Sequence, residues 1–112
     1  MKLSTFQAVL KKISAGLILA LCFFMTSCQT GPMPVEDYSL ARVALEAARE
    51  VQAPRHAPGF WHQAEEAYRK ARLLYKDGRW DEARAEFIKA RIAAEKAENA
   101  ARLIRQRTGD VL

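Results

Sequence analysis

Residues 79–106 read RWDEARAEFIKARIAAEKAENAARLIRQ, and this stretch decides the fold. Trp80, Ala83, Phe87, Ala90, Ala94, Ala97, Ala101 and Ile104 follow one another at spacings of three and four without a break. Such positions form one stripe along a single helix. The stripe is mostly alanine, so whatever covers it must come close. A helix over 79–106 is about 42 Å long.

Upstream, Phe60, Ala64, Ala67, Ala71 and Leu74 mark a second helix that ends at Asp77-Gly78, with Gly78 suited to the left-handed position after a helix. The third helix starts at once, with Asp81 and Glu82 facing the positive end of its macrodipole. So short a link makes the two helices antiparallel neighbours. Further upstream, Ala53-Pro54 and Ala57-Pro58-Gly59 bracket a five-residue connection, because proline disfavours helix in the residue before it. A first helix begins near Glu36 and carries Tyr38, Ala41, Leu45 and Ala48. No stretch alternates with period two, so strands are not expected.

The three segments share a weak repeat: Ala41-Leu45-Ala48, Ala64-Tyr68-Ala71 and Ala83-Phe87-Ala90. Small residues bring helix axes together while the larger one fills the gap, which predicts a core built on Leu45, Tyr68, Trp80 and Phe87. A second helix over 59–77 reaches only about 28 Å. It therefore leaves Ala94, Ala97, Ala101 and Ile104 at the far end of the third helix as the expected partner-binding residues, unless the first helix folds over them.

The chain has 112 residues, with 18 Lys and Arg against 13 Asp and Glu, a formal charge of +5. Residues 1–27 hold Lys2, Lys11 and Lys12 and no acid, so the remainder is only +2, with 15 basic and 13 acidic residues. The high isoelectric point thus belongs largely to the N-terminal segment and does not point to nucleic acid. About 85 remaining residues make one domain with a thin core and little room for an enclosed active site.

Basic residues up to Lys12, an uncharged and mostly apolar run from Ile13 to Ser27, and the small pair Thr26-Ser27 before Cys28 have the layout of a secretory signal peptide. The run is short for a stable span of about 20 residues. Met25-Thr26-Ser27-Cys28 resembles the lipobox of bacterial lipoproteins, with Met25 where Leu is usual; Cys22, preceded by the large Leu21, fits it less well. The resemblance implies that Cys28 becomes the lipidated N-terminus, held at a membrane by several acyl chains. Gln29 rather than Asp after that cysteine implies the outer membrane, with the domain facing the periplasm. An ordinary signal peptide and an uncleaved anchor are the alternatives. Gly31, Pro32 and Pro34 make 28–35 a flexible tether. With Cys22 removed and Cys28 modified, no disulfide is expected.

Leu73 to Ala90 resembles the helix-turn-helix of tetratricopeptide repeats, with Gly78, Trp80, Ala83, Phe87 and Ala90 in the fitting order, over one hairpin only. Tyr38, Ala41, Leu45, Ala48, Ala57-Pro58, Ala64, Ala71, Gly78, Trp80, Ala83 and Ala90 together resemble small envelope lipoproteins carrying the domain of unknown function number 4398. That resemblance implies an alanine-rich helical module on a lipid anchor and imports no activity.

Catalytic and metal constellations are not apparent. His56 and His62 are six residues apart, whereas helical metal ligands need three or four. Ser39 and Thr108 have no base and orienting group in the pattern, so no enzyme, metal or cofactor is expected. Glu65 with Arg69, Glu66 with Lys70 and Glu98 with Arg102 read as ion pairs of a solvated face. Trp61, Tyr68 and Tyr75, seven apart, read as packing residues, with a sugar- or peptide-binding surface as the alternative.

The expected protein is all-α: a signal peptide over 1–27, a tether over 28–35, an alanine-rich helical domain over 36–107 and a short tail over 108–112. The domain is expected to be a three-helix antiparallel bundle or a tetratricopeptide-like hairpin with a long third helix. Its expected role is that of a scaffold or adaptor for another envelope protein or for itself, with non-covalent contact to peptidoglycan as the alternative.

Overall fold

The computed structural model describes residues 2–24 and 31–109, and among them all regular structure is helical. The helices are α1 (Lys2–Phe24), α2 (Val35–Glu50), α3 (Ala53–His56), α4 (Pro58–Lys76) and α5 (Trp80–Thr108). Cys28, the expected lipidation site, lies outside the described residues, as do Met25 to Ser27. The side chains of α1 from Leu3 to Ala20 are exposed, and its Lys2–Ala20 portion is long and apolar enough to cross a membrane, a property it shares with signal sequences.

Local chemistry sets the helix ends. Asp77 caps α4, Gly78 adopts φ 74°, and the N–H groups of Gly78 and Arg79 donate to the carbonyls of Tyr75 and Leu74 at 3.2 and 2.9 Å. This pair of hydrogen bonds is the Schellman arrangement, which needs a left-handed residue at Gly78. Pro58 opens α4, where its missing N–H costs nothing. Gly109, at φ 70°, closes α5. Thr108, expected in the tail, is the last helical residue, and its hydroxyl donates back to the Ile104 carbonyl at 3.0 Å.

Helix α5 lies between α2 and α4 and touches both extensively, whereas the backbones of α2 and α4 stay apart. Of the eighteen buried apolar residues in the described chain, thirteen are alanine, so the axes approach closely. All six alanines of the three-segment repeat are fully buried. Phe87 is also fully buried and is ringed by Tyr38, Tyr68 and Tyr75, with centroids at 5.2, 5.9 and 6.2 Å.

Three expectations change. The 53–57 connection contains a helical turn, α3, entered through Gln52 in the left-handed region at φ 59°. Trp80, expected in the core, is only half-buried at the first position of α5; Trp61 is buried instead, at 5 % exposure, against Ala53, Ala57 and Ala97, while Phe60 turns outward. The third concerns the tether. Gly31 N–H donates to Asp81 Oδ2 at 3.2 Å, the Pro32 carbonyl accepts from Arg84 Nη2 at 2.8 Å, and Pro34 is buried. Residues 31–34, expected to be flexible, are therefore tied to the start of α5, because Arg84 also pairs with Asp37 and Asp81 at 3.4 Å each.

Candidate functional site

The four residues expected to face a partner divide. Ala94, Ala97 and Ala101 have no exposed surface: they sit in one cluster with Leu45, Ala48 and Val51, with Ala53 and Ala57, and with Trp61 and Ala64. Their surface is taken up by the chain's own helices. Leu45, Ala48 and Val51 at the end of α2 fold over these alanines, the alternative that the length argument left open, and α4 with the α3 turn at Ala53 completes the cover. Ile104 alone stays accessible, at 36 %.

Ile104 borders a shallow apolar cleft at the end of the domain opposite Gly31. The cleft, about 330 Å³, is lined by His56, Pro58, Phe60, Gln63, Ala100 and Ile104. Phe60 is 41 % exposed beside it, and Leu103 adds an outward apolar side chain on the same last turns of α5. Proline and glycine at 58–59 force the chain to start α4 here, so the apolar side chain of Phe60 falls in the first turn, where no neighbouring helix covers it.

A second concavity runs between α2 and α4, where the separated backbones leave a groove over the tyrosines. One part, about 320 Å³, is lined by Arg42, Leu45, Glu46, Arg49, Glu65, Tyr68 and Arg69. The adjoining part, about 490 Å³, is lined by Tyr38, Arg69, Arg72, Leu73, Tyr75 and Lys76. Tyr38 stacks on both Tyr68 and Tyr75 at 27°, and the Arg72 guanidinium lies 5.9 Å from the Tyr68 ring centre. Burial, then a hydrogen bond with Tyr38, push the Tyr68 phenol above its ordinary value, while Arg72 and Arg42 pull the other way.

Of the expected ion pairs, Arg102 donates to Glu98 at 2.8 Å. Lys70, expected to pair with Glu66, instead crosses to Glu86 of α5 at 2.7 Å, and this bond raises its own pKa. Arg69 forms no ion pair among the described residues, so Glu65 does not neutralise it. His62 is exposed on α4, six positions from the half-buried His56.

The groove was missed as a site because its two walls come from helices whose order in sequence does not show that they splay. The signal that existed was the run of cations Arg69, Arg72 and Lys76 flanking Tyr68 and Tyr75. Compared with protein-family models, curated proteins and solved structures, the chain gives no match.

Proposed function

We propose that the chain is an outer-membrane lipoprotein whose periplasm-facing three-helix bundle serves as an adaptor for another envelope protein. In this reading residues 1–27 are the signal peptide, the lipid on Cys28 fixes the domain at the membrane, and an amphipathic helix of the partner docks at the far end. Kinship with the alanine-rich lipoproteins of domain 4398, and the tetratricopeptide-like layout of the α4–α5 hairpin, belong to the same proposal.

The observation that carries it is the cleft beside Ile104 and Phe60, an apolar surface uncovered by the described chain and at the opposite end from the clamped Gly31. Clustered exposed apolar side chains mark interaction sites more than scattered ones do, and a cleft between two helices suits the apolar face of a third. Arg107 in the last turn of α5 favours an acidic flank on that partner helix.

A photo-cross-linking amino acid placed at position 60 or 104 in cells tests the reading. Links to one other envelope protein are expected, with the same probe at the exposed Ile92 as control. Links only to the same chain would replace the adaptor with self-assembly, and equal labelling from 60, 104 and 92 would overturn docking at the cleft. Independently, Cys28→Ala is expected to abolish incorporation of a labelled fatty acid and release the protein from the membrane fraction.

The alternative, non-covalent contact with peptidoglycan, draws support from the cationic groove. Sedimentation with insoluble peptidoglycan tests it.

A further inference from the structure

Between Gly31 and Gly109 the chain has fifteen Lys and Arg and twelve Asp and Glu. Five of those cations, Arg42, Arg49, Arg69, Arg72 and Lys76, and only two of the acids, Glu46 and Glu65, line the groove between α2 and α4. Everything outside the groove therefore balances, ten against ten. The whole net charge of the helical domain sits in one concavity.

The charge is also unevenly placed along the groove. Both acids lie at the Arg49 end. The other end, with Tyr38, Arg69, Arg72, Tyr75 and Lys76, has no carboxylate in its lining. Clustering like charges without a counter-charge costs free energy through their mutual repulsion, and nothing in the packing requires it, since these exposed side chains point away from the alanine core. From Tyr38 to Arg49 the groove is about 16 Å long, the reach of about five residues of extended chain.

We propose that this groove binds an extended acidic segment of a partner protein, about five residues long, with its carboxylates held by Arg69, Arg72 and Lys76 and, on the opposite wall, by Arg42, whose own contact with Glu46 is a long 3.9 Å pair between exposed side chains. Guanidinium groups grip carboxylates bidentately. The Tyr38 and Tyr68 hydroxyls on the floor add hydrogen bonds. The acidic residues of the ligand lie toward Tyr75, and its end near Glu46 and Glu65 is neutral or basic.

The stacking argues against a sugar. Carbohydrate rings use open aromatic faces, whereas here Tyr38 covers Tyr68 and Tyr75, and Arg72 lies over Tyr68. The recess argues against a membrane surface, because a plane of headgroups reaches the rims and not the phenols. The proposal stands without the lipid anchor: it depends only on the groove.

The test uses the full chain in neutral detergent and a fluorescein-labelled Glu-Gly-Glu-Gly-Glu peptide, read by fluorescence anisotropy at low salt. Saturable binding is expected, falling as salt is raised. Arg69→Glu with Arg72→Glu is expected to weaken it by about tenfold or more, and Arg42→Glu, on the opposite wall, by about threefold or more. Lys89→Glu with Lys96→Glu removes the same charge from exposed positions outside the groove, and is expected to change binding by less than about twofold. Equal loss in both double variants would reduce the effect to net charge and overturn the site. So would failure of the peptide to saturate, whether or not insoluble peptidoglycan or phosphatidylglycerol vesicles capture the protein through Arg69 and Arg72. Circular dichroism of each variant checks that the helices are intact.

Discussion

Phe87 is the residue on which three helices depend. It comes from α5, yet its ring meets Tyr38 of α2 and Tyr68 and Tyr75 of α4, and in a core made mostly of alanine no other fully buried side chain among the described residues is as large. Phe87→Ala is expected to destabilise the domain by about 3–5 kcal/mol, a large share of what a small domain possesses, measured by urea unfolding followed at 222 nm. The titration of two further residues sets an alkaline limit. Burial and the Tyr38 hydrogen bond raise the Tyr68 pKa, and the Glu86 bond raises that of Lys70. Each group binds its proton more tightly folded than unfolded, so its contribution is complete at neutral pH and is lost as pH rises past the ordinary values of 10.0 and 10.5. Stability should therefore fall above about pH 10, and Tyr68→Phe should flatten the fall in urea midpoints. An unchanged slope in that variant would remove Tyr68 from the account.

At the scale of the element, α5 is the mast of the domain and α3 its least obvious part. One helical turn at Ala53–His56 supplies Ala53, and Ala57 follows it, as the cover for Ala97 and Ala101. Ala97→Leu is therefore expected to overpack the junction and cost about 1–3 kcal/mol; were Ala97 on a free surface, the same change would leave the melting temperature where it was. Gln52 enters this turn in the left-handed region, where a side chain costs about 1–2 kcal/mol. Gln52→Gly should relieve part of that and raise the melting temperature. The clamp at the start of α5 acts on mobility more than on stability. Arg84 holds Pro32, Asp37 and Asp81 together through partly exposed contacts, each worth about 0.2–1 kcal/mol. Arg84→Ala should leave the unfolding midpoint nearly unchanged and open residues 31–34 to faster amide exchange and proteolysis.

At the scale of the whole molecule, the described chain has two ends and a groove between them: a clamped entry at Gly31, an apolar cleft at Ile104, and a cationic concavity along α2 and α4. Residue spacing alone determined a good part of this. The unbroken three-and-four stripe of α5, the Gly78 turn and the proline boundaries specified the all-α class and the limits of α4 and α5 to within two residues, because they rest on local backbone sterics and periodicity. The repeat placed its alanines in the core for the same reason. Which surfaces remain open was decided by tertiary structure. Ala94, Ala97 and Ala101 are covered because the end of α2, the α3 turn and the start of α4 all converge on them. Trp61 is buried, and Trp80, equally apolar in sequence, is left half-exposed at a helix start. Arg69, Arg72 and Lys76 form one wall of a groove only because α5 separates α2 from α4, a long-range arrangement to which helical periodicity, a property of neighbours along one chain segment, is blind.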